Sequence, residues 1–141
     1  MLFGSFVHSI DEKGRLTIPS KIRAEFSNKL FVIKGSEGTL NIYSEDKFNK
    51  YLEKLSKLPM ESKNVRDILR TALSSVVELY VDSKSRIQIP TSIIEKYKIA
   101  KEVIIVGMLD HIEVWNRPNW DEYQAGNEAK FEDKLEDIIG L

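Results

Sequence analysis

The sequence contains no cysteine among its 141 residues. The chain therefore has no disulfide framework, no cysteine-based zinc finger and no thiol nucleophile. Histidine is nearly as scarce, because His8 and His111 are the only two, and neither stands in a metal-binding or nucleophile signature. We therefore expect no metal site, no cofactor and no catalytic residue, and an enzyme is not the expected class of protein.

Long hydrophobic runs and a large net charge are also missing. The apolar run 103–106 has the length of a strand and is far too short to span a membrane, so we expect no membrane partner. The net charge is −1, which argues against a simple basic DNA-binding domain. Residues 121–141 nevertheless carry seven acidic and two basic residues, which leaves a net charge of +4 on the rest of the chain. This acidic end is either the solvated face of a helix or part of a charge asymmetry of the kind found in proteins with nucleic-acid partners.

What the sequence does contain is an internal repeat. Residues 11–19, Asp-Glu-Lys-Gly-Arg-Leu-Thr-Ile-Pro, are matched by residues 82–90, Asp-Ser-Lys-Ser-Arg-Ile-Gln-Ile-Pro. The similarity continues downstream, where residues 30–43 match residues 102–115. Two copies predict a body with pseudo-two-fold symmetry, because a solenoid needs at least about three repeats to bury its faces.

The repeat predicts a single α+β domain over residues 1–141. Hydrophobic alternation and turn residues predict a strand, a turn, a second strand, a short helix and a two-strand hairpin in each copy. We assign residues 5–48 to the first repeat, 49–75 to a two-helix insert, 76–123 to the second repeat and 124–141 to an acidic C-terminal helix. That last helix has an apolar stripe and can pack on its own domain or on a neighbouring subunit.

Each copy of the motif places cationic residues at a turn. Gly14 can adopt a positive φ there, and we expect the strands that enter and leave the turn to form a two-stranded ribbon. Such a ribbon is narrow enough to enter a DNA major groove, which is about 12 Å wide. Lys13 and Arg15 would project from one turn, and Lys84 and Arg86 from the other. Arginine can donate two hydrogen bonds to guanine O6 and N7, and lysine can reach a phosphate or the same base edge.

An aspartate stands four residues before each arginine, at Asp11 and Asp82. Across the turn it could hold the guanidinium plane in position, which lowers the entropy lost on binding. The alternative is a surface hairpin whose ion pair merely fixes the turn, and for a single copy we would favour it. Two copies that both retain Asp, Lys and Arg indicate a shared task instead. Lys21 and Arg23, just after the motif, are either phosphate contacts or solvated helix charges.

On these residues the chain resembles the MraZ family of bacterial transcriptional regulators, within the AbrB-like superfamily. The family signature is a doubled Asp-x-x-x-Arg motif, present here as Asp11 to Arg15 and Asp82 to Arg86. The resemblance covers the chain from Met1 to about Tyr123. It implies two pseudo-symmetric swapped-hairpin halves that form a double-split β-barrel. The second turn, 83–85, lacks the glycine of the first.

The resemblance also implies a function. The protein is expected to bind double-stranded DNA at short direct repeats in the promoter of the division and cell-wall gene cluster. It is expected to form a ring-shaped homo-oligomer, to be cytoplasmic and nucleoid-associated, and to need no small-molecule ligand. By the same resemblance the residues that contact DNA are Lys13, Arg15, Lys84 and Arg86, while Asp11 and Asp82 orient them and Gly14 permits the turn. Lys21 and Arg23 are weaker candidates, from their position just after the motif.

The strongest alternative is a protein-interaction module without base-specific DNA binding. AbrB-like antitoxins resemble this chain in their hairpins and carry an extra toxin-binding tail. The acidic helix at the end of this chain could play that part, or the protein could be a structural ring.

Overall fold

The computed structural model of the chain describes residues 1–99 and 101–140. The strands of this part of the chain are β1 (Ser5–Ser9), β2 (Arg15–Thr17), β3 (Lys29–Lys34), β4 (Leu40–Ser44), β5 (Val77–Tyr80), β6 (Arg86–Gln88), β7 (Glu102–Gly107) and β8 (Ile112–Asn116). The helices are α1 (Glu45–Ser56), α2 (Lys63–Ser74), α3 (Thr91–Lys96), α4 (Arg117–Glu128) and α5 (Phe131–Ile139). The short helix expected after the first motif is a single 3-10 turn, Arg23–Glu25.

The strands form one large sheet and one small ribbon. The sheet has six antiparallel strands in the order β1-β7-β8-β4-β3-β5, and β2 pairs with β6 in a separate two-stranded ribbon. Each repeat thus contributes a hairpin, β3–β4 or β7–β8, to the middle of the sheet. The α+β fold is confirmed, but the sheet is not closed, because its edge strands β1 and β5 do not pair with each other.

The strand that enters each turn does not pair with the strand that leaves it, so the expected local ribbon is wrong. β1 pairs with β7 of the other repeat, with Ser5 opposite Val106. β5 pairs in the same way with β3, and β2 pairs with β6. Alternation along a strand predicts which face is buried but does not identify the partner strand. Every strand of the motif is therefore completed by the other repeat, as a swapped-hairpin arrangement requires.

The main hydrophobic core lies between the sheet and the ribbon. Leu16 and Ile87 stand opposite each other in the ribbon and are both 0% exposed. Ile18 and Ile89, one residue beyond each strand, are also buried in this core. The alternation of the motif therefore places its aliphatic residues inward, as its pattern predicts.

The helical insert covers the other face of the sheet. Ser44 caps α1 by accepting a hydrogen bond from the N–H of Lys47 at 3.3 Å, as expected for this residue type. Phe48 of α1 stacks on Phe31 of β3 with ring centroids 4.5 Å apart. α2 then packs on the same region of the sheet.

The C-terminal region differs from the single acidic helix expected over residues 124–141. Two helices cover this region instead: α4 begins earlier, at Arg117, and ends at Glu128, and α5 starts at Phe131 after a turn. The interruption follows Gly126 and Asn127, both of which are poor helix formers. In the residues that the structure describes, no helix combines the length and the apolar character that crossing a membrane requires.

Candidate nucleic-acid interface

The first turn is built around the carboxylate of Asp11. Its Oδ1 accepts hydrogen bonds from the N–H groups of Lys13 (2.9 Å) and Arg15 (2.8 Å). Its Oδ2 accepts from Nε of Arg15 at 2.5 Å. The N–H of Gly14 donates to the carbonyl oxygen of Asp11 at 3.0 Å, which closes the turn. A single aspartate therefore fixes both the backbone of the turn and the arginine that follows it.

The second turn repeats this geometry without the glycine. Oδ1 of Asp82 accepts from the N–H groups of Lys84 (2.8 Å) and Arg86 (2.9 Å), and Oδ2 accepts from Nε of Arg86 at 2.9 Å. Ser85 adopts a φ of 60°, close to the 78° of Gly14 in the first turn. The left-handed conformation is strained for serine, so the hydrogen bonds of Asp82 hold a shape that glycine adopts more easily.

These contacts favour the ionised form of both aspartates. The N–H of Arg15 contributes most to lowering the pKa of Asp11, and the N–H of Arg86 does the same for the pKa of Asp82. Partial desolvation opposes the effect in both cases, and the side-chain hydrogen bond from each arginine adds to it. Each carboxylate therefore stays charged and keeps its arginine oriented over the physiological pH range.

The pairing of β2 with β6 brings the two arginines together. Arg15 lies opposite Gln88, and Thr17 lies opposite Arg86. All four side chains point away from the core, because alternate residues of a strand share a face and Leu16 and Ile87 occupy the buried one. Arg15 and Arg86 are diagonal neighbours on this outer face, a relation that separates Cα atoms by roughly 7–8 Å.

The lysines lie further apart than the arginines. The carbonyl oxygen of Gly14 accepts from Ile89, and that of Ser85 accepts from Ile18, both at 2.8 Å. The turns therefore sit at opposite ends of the ribbon, with Lys13 exposed at one end and Lys84 at the other.

Each arginine leaves its terminal nitrogens for another partner. The Arg15 side chain is 31% exposed and that of Arg86 is 25% exposed, so both are partly packed along the ribbon. Only Nε contacts the aspartate in each pair. Within residues 1–99 and 101–140, the Nη groups of the two arginines donate no hydrogen bond. A guanidinium held at Nε can present both Nη groups to a base edge.

Lys21 and Arg23 lie beside the ribbon rather than on it. Lys21 is exposed, whereas Arg23 is partly buried. Nη1 of Arg23 donates to the carbonyl oxygen of Phe26 at 2.6 Å, and Nη2 donates to Oδ1 of Asn28 at 3.4 Å. Arg23 therefore also has a structural role at the end of the 3-10 turn.

The sequence reasoning missed Gln88. Its Nε2 donates to the carbonyl oxygen of Lys13 at 3.1 Å, so it links the outer face of the ribbon to the first turn of the other repeat. Thr17 occupies the corresponding position of the first motif. One feature of the sequence could have indicated this role. In each motif a polar residue stands between the two aliphatic positions, and alternation places that residue on the same face as the arginine.

The two histidines occupy unrelated positions. His111 stacks on Tyr43 with centroids 4.7 Å apart, and its Nδ1 is 2.6 Å from Oδ1 of Asp110. His8 lies on β1 beside the second turn. In the part of the chain that the structure describes, no group of three or more histidine and carboxylate side chains is placed to hold a metal ion.

Comparisons with known proteins match the whole chain. A family model described as "MraZ protein, putative antitoxin-like" matches residues 1–71 and again residues 72–141. Three bacterial relatives carry the name "Transcriptional regulator MraZ": those of Caldanaerobacter subterraneus subsp. tengcongensis, Thermoanaerobacter sp. and Desulforamulus reducens, with 38%, 36% and 35% identity. The alignments span 98–100% of this chain and 96–99% of the relatives. The repeat seen in the sequence is thus a repeat of the family domain.

We predict that Gly14→Ala destabilises the protein more than Gly38→Ala. Both glycines have φ near 75–78°, so both substitutions introduce the same backbone strain, which is about 1 kcal/mol or more. A Cβ at Gly14 would also lie 2.7 Å from the carbonyl oxygen of Ile89, whereas a Cβ at Gly38 would meet nothing within 4 Å. Chemical denaturation of the two variants measures the difference, and equal losses of stability would show that the first turn tolerates a side chain.

We also predict that Asp11 and Asp82 titrate below the ordinary aspartate pKa of 3.8. Because the folded pKa is lowered, the stability from each carboxylate is complete above the unfolded pKa and is lost as the pH falls through the folded pKa. NMR titration of the carboxyl carbons measures both values. The double variant Asp11→Asn, Asp82→Asn should be less stable than wild type at neutral pH and approach it in acid. A titration of either group at or above 3.8 contradicts this.

Proposed function

Because the chain belongs to the MraZ family, we propose that it is a transcriptional regulator that binds double-stranded DNA and reads its bases with the β2–β6 ribbon. The relatives named as transcriptional regulators support the regulatory role. The observation that carries the proposal is the arginine pair on the outer face of the ribbon, each held at Nε by its own aspartate.

The geometry suits readout in a major groove. Arg15 and Arg86 are separated by roughly 7–8 Å as diagonal neighbours, which is about two base-pair steps of 3.4 Å. Each can direct its Nη groups to O6 and N7 of a guanine. Fixing the guanidinium before binding lowers the conformational entropy that binding would otherwise cost.

The remaining motif residues would position the ribbon on the duplex. Lys13 and Lys84 stand at opposite ends of the ribbon, where they would contact phosphates on either side of the bases that are read. Asp11 and Asp82 orient the arginines, and Gly14 allows the first turn to close against Ile89. We assign no catalytic role to any residue of this surface.

We further propose the target and the place of action. The resemblance to MraZ regulators supports short direct repeats in the promoter of the division and cell-wall gene cluster as the DNA target. A protein with this target would act in the cytoplasm, in association with the nucleoid.

A single protomer carries little positive charge with which to bind DNA, and a ring of protomers would supply more. Residues 1–120 have a net charge of +4, and affinity for DNA rises with the number of phosphates neutralised. A ring that presents several ribbons to one duplex raises affinity through effective concentration. We therefore propose a ring-shaped homo-oligomer.

Two separate apolar patches support head-to-tail assembly. The N-terminal patch consists of Met1, Phe3, Met108 and Leu109, which are 84%, 74%, 44% and 64% exposed. The α2 patch consists of Met60 and Leu73, which are 57% and 43% exposed. The first adjoins β7, whereas the second consists of Leu73 on α2, the helix that packs on β3, and Met60 just before that helix. The two patches therefore lie by different halves of the sheet. A ring requires two different, complementary surfaces on each subunit.

The rival function is a protein-interaction module without base-specific DNA binding. The words "antitoxin-like" in the description of the family support this alternative. α5 would be its partner surface, because Phe131, Ile138 and Ile139 are 61%, 83% and 62% exposed. Binding to duplex DNA at low salt, with affinity that falls steeply as salt rises, supports the regulator. Failure to bind any duplex at low salt supports the interaction module.

We predict that Arg15→Ala and Arg86→Ala each weaken specific DNA binding by about 1–3 kcal/mol. The loss should be confined to duplexes from the promoter of the division and cell-wall gene cluster, while the fold persists, because each aspartate keeps its two backbone donors. Fluorescence anisotropy against specific and scrambled duplexes measures the effect. Lys50→Ala, which removes a 62% exposed cationic side chain of α1 outside the ribbon and both apolar patches, is the charge-matched control. Unchanged affinity in both motif variants would show that the ribbon does not read bases.

We predict that the protein sediments with a mass several times that of its 16.3 kDa chain. Leu109→Glu and Leu73→Glu each place a charge in one of the two patches and should lower the mass. Asn49→Glu adds the same charge to the exposed face of α1 and should leave it unchanged. A monomeric wild-type protein in analytical ultracentrifugation would rule out the ring.

A further inference from the structure

A groove of about 720 Å³ lies beside the second turn, and its charged side chains are all lysine or arginine. His8 of β1, Lys21 and Arg23 from the segment after β2, and Lys84 of the turn all contribute to it. The groove brings together both repeats, since His8 and Lys84 are 76 positions apart in the sequence. None of the described residues that line this groove is a carboxylate. We call it the cationic groove.

The corresponding groove beside the first turn has the opposite charge. It has a volume of about 530 Å³, and its charged residues are Asp11, Glu12 and Lys101. Its formal charge is therefore −1, whereas two lysines and one arginine give the cationic groove a formal charge of +3. The difference has a simple origin in the sequence. The second repeat has Ser92 and Ile94 where the first has Lys21 and Arg23.

We propose that the cationic groove binds backbone phosphates of the duplex whose bases the ribbon reads, and that its counterpart does not. The inference rests on the proposed DNA binding and adds that each protomer binds the duplex in one preferred orientation. The ammonium groups of Lys21 and Lys84 supply charge-assisted hydrogen bonds to a phosphodiester. Arg23, fixed by the carbonyl oxygen of Phe26, adds a positive charge that is already in place before DNA binds.

This one-sided contact gives the protomer a polarity on DNA. The ribbon is close to two-fold symmetric, so its two arginines would read a site almost equally well in either direction. A phosphate groove at one end only makes the two directions unequal in energy. A protomer with such a groove lies on its half-site in one orientation, which suits sites arranged as direct repeats better than inverted ones.

The test compares Lys21→Gln with Lys101→Gln. Each variant removes one charge from an exposed lysine, in the cationic groove and in its counterpart respectively. Lys21→Gln should lower affinity for specific and scrambled duplexes by the same factor. It should also reduce the slope of log Kobs against log salt by about 0.9, which is the value for one neutralised phosphate. Lys101→Gln should change neither quantity.

The outcomes separate the two proposals. If wild-type protein binds no duplex at low salt, the proposed function fails. If wild type binds and prefers its specific duplex, but Lys21→Gln has the wild-type slope or matches Lys101→Gln, the groove proposal alone fails. The groove could instead be a site for free anions. In that case NMR would detect binding of inorganic phosphate, and Lys21→Gln would abolish this binding without changing the salt slope of DNA binding. That result would also overturn the groove proposal. Ethylation interference provides a second readout, and we expect the affected phosphates to extend further beyond the bases on the side of the second turn than on the side of the first.

Discussion

The structure depends on the antiparallel pairing of two three-residue strands that come from different repeats. β2 and β6 are too short to be stable alone, and each is completed by the other. Their inner residues, Leu16 and Ile87, fill the centre of the main core, so the pairing also joins the two halves of the hydrophobic interior. The outer face of the same short ladder carries both arginines. Core packing and the candidate DNA surface are therefore two faces of one element.

The aspartate of each turn has a comparable double role in the loops. Each carboxylate accepts hydrogen bonds from two backbone N–H groups and one arginine Nε. The same contacts shape the second turn, where Ser85 takes the left-handed conformation of Gly14. The turns are thus alike in backbone and differ in surroundings. The groove beside the second turn contains Lys21 and Arg23, whereas the groove beside the first contains Thr91 and Ile94.

Much of the fold and of the candidate DNA surface could be predicted from local sequence, and the features that could not be predicted have two causes. The buried faces of the motif strands, the cap at Ser44 and the shape of the first turn follow from residue type and alternation, which act over a few positions. The pairing of β1 with β7 does not, because alternation says which face is buried and not which strand lies alongside. The diagonal arginine pair was missed for the same reason. The break between α4 and α5 was also missed, since Gly126 and Asn127 weaken a helix without marking its end as proline would.

The exchange of strands between repeats has a consequence for biosynthesis. Ser5 pairs with Val106, so the N-terminal strand finds its neighbour only after about a hundred further residues have been made. At typical translation rates that interval is roughly 5–20 s. During it, the nascent first half has an apolar core face with no partner. Chaperone demand should therefore be concentrated in synthesis of this first half, because a polypeptide that stops before β7 lacks the strands of the second repeat that pair with β1 and β4.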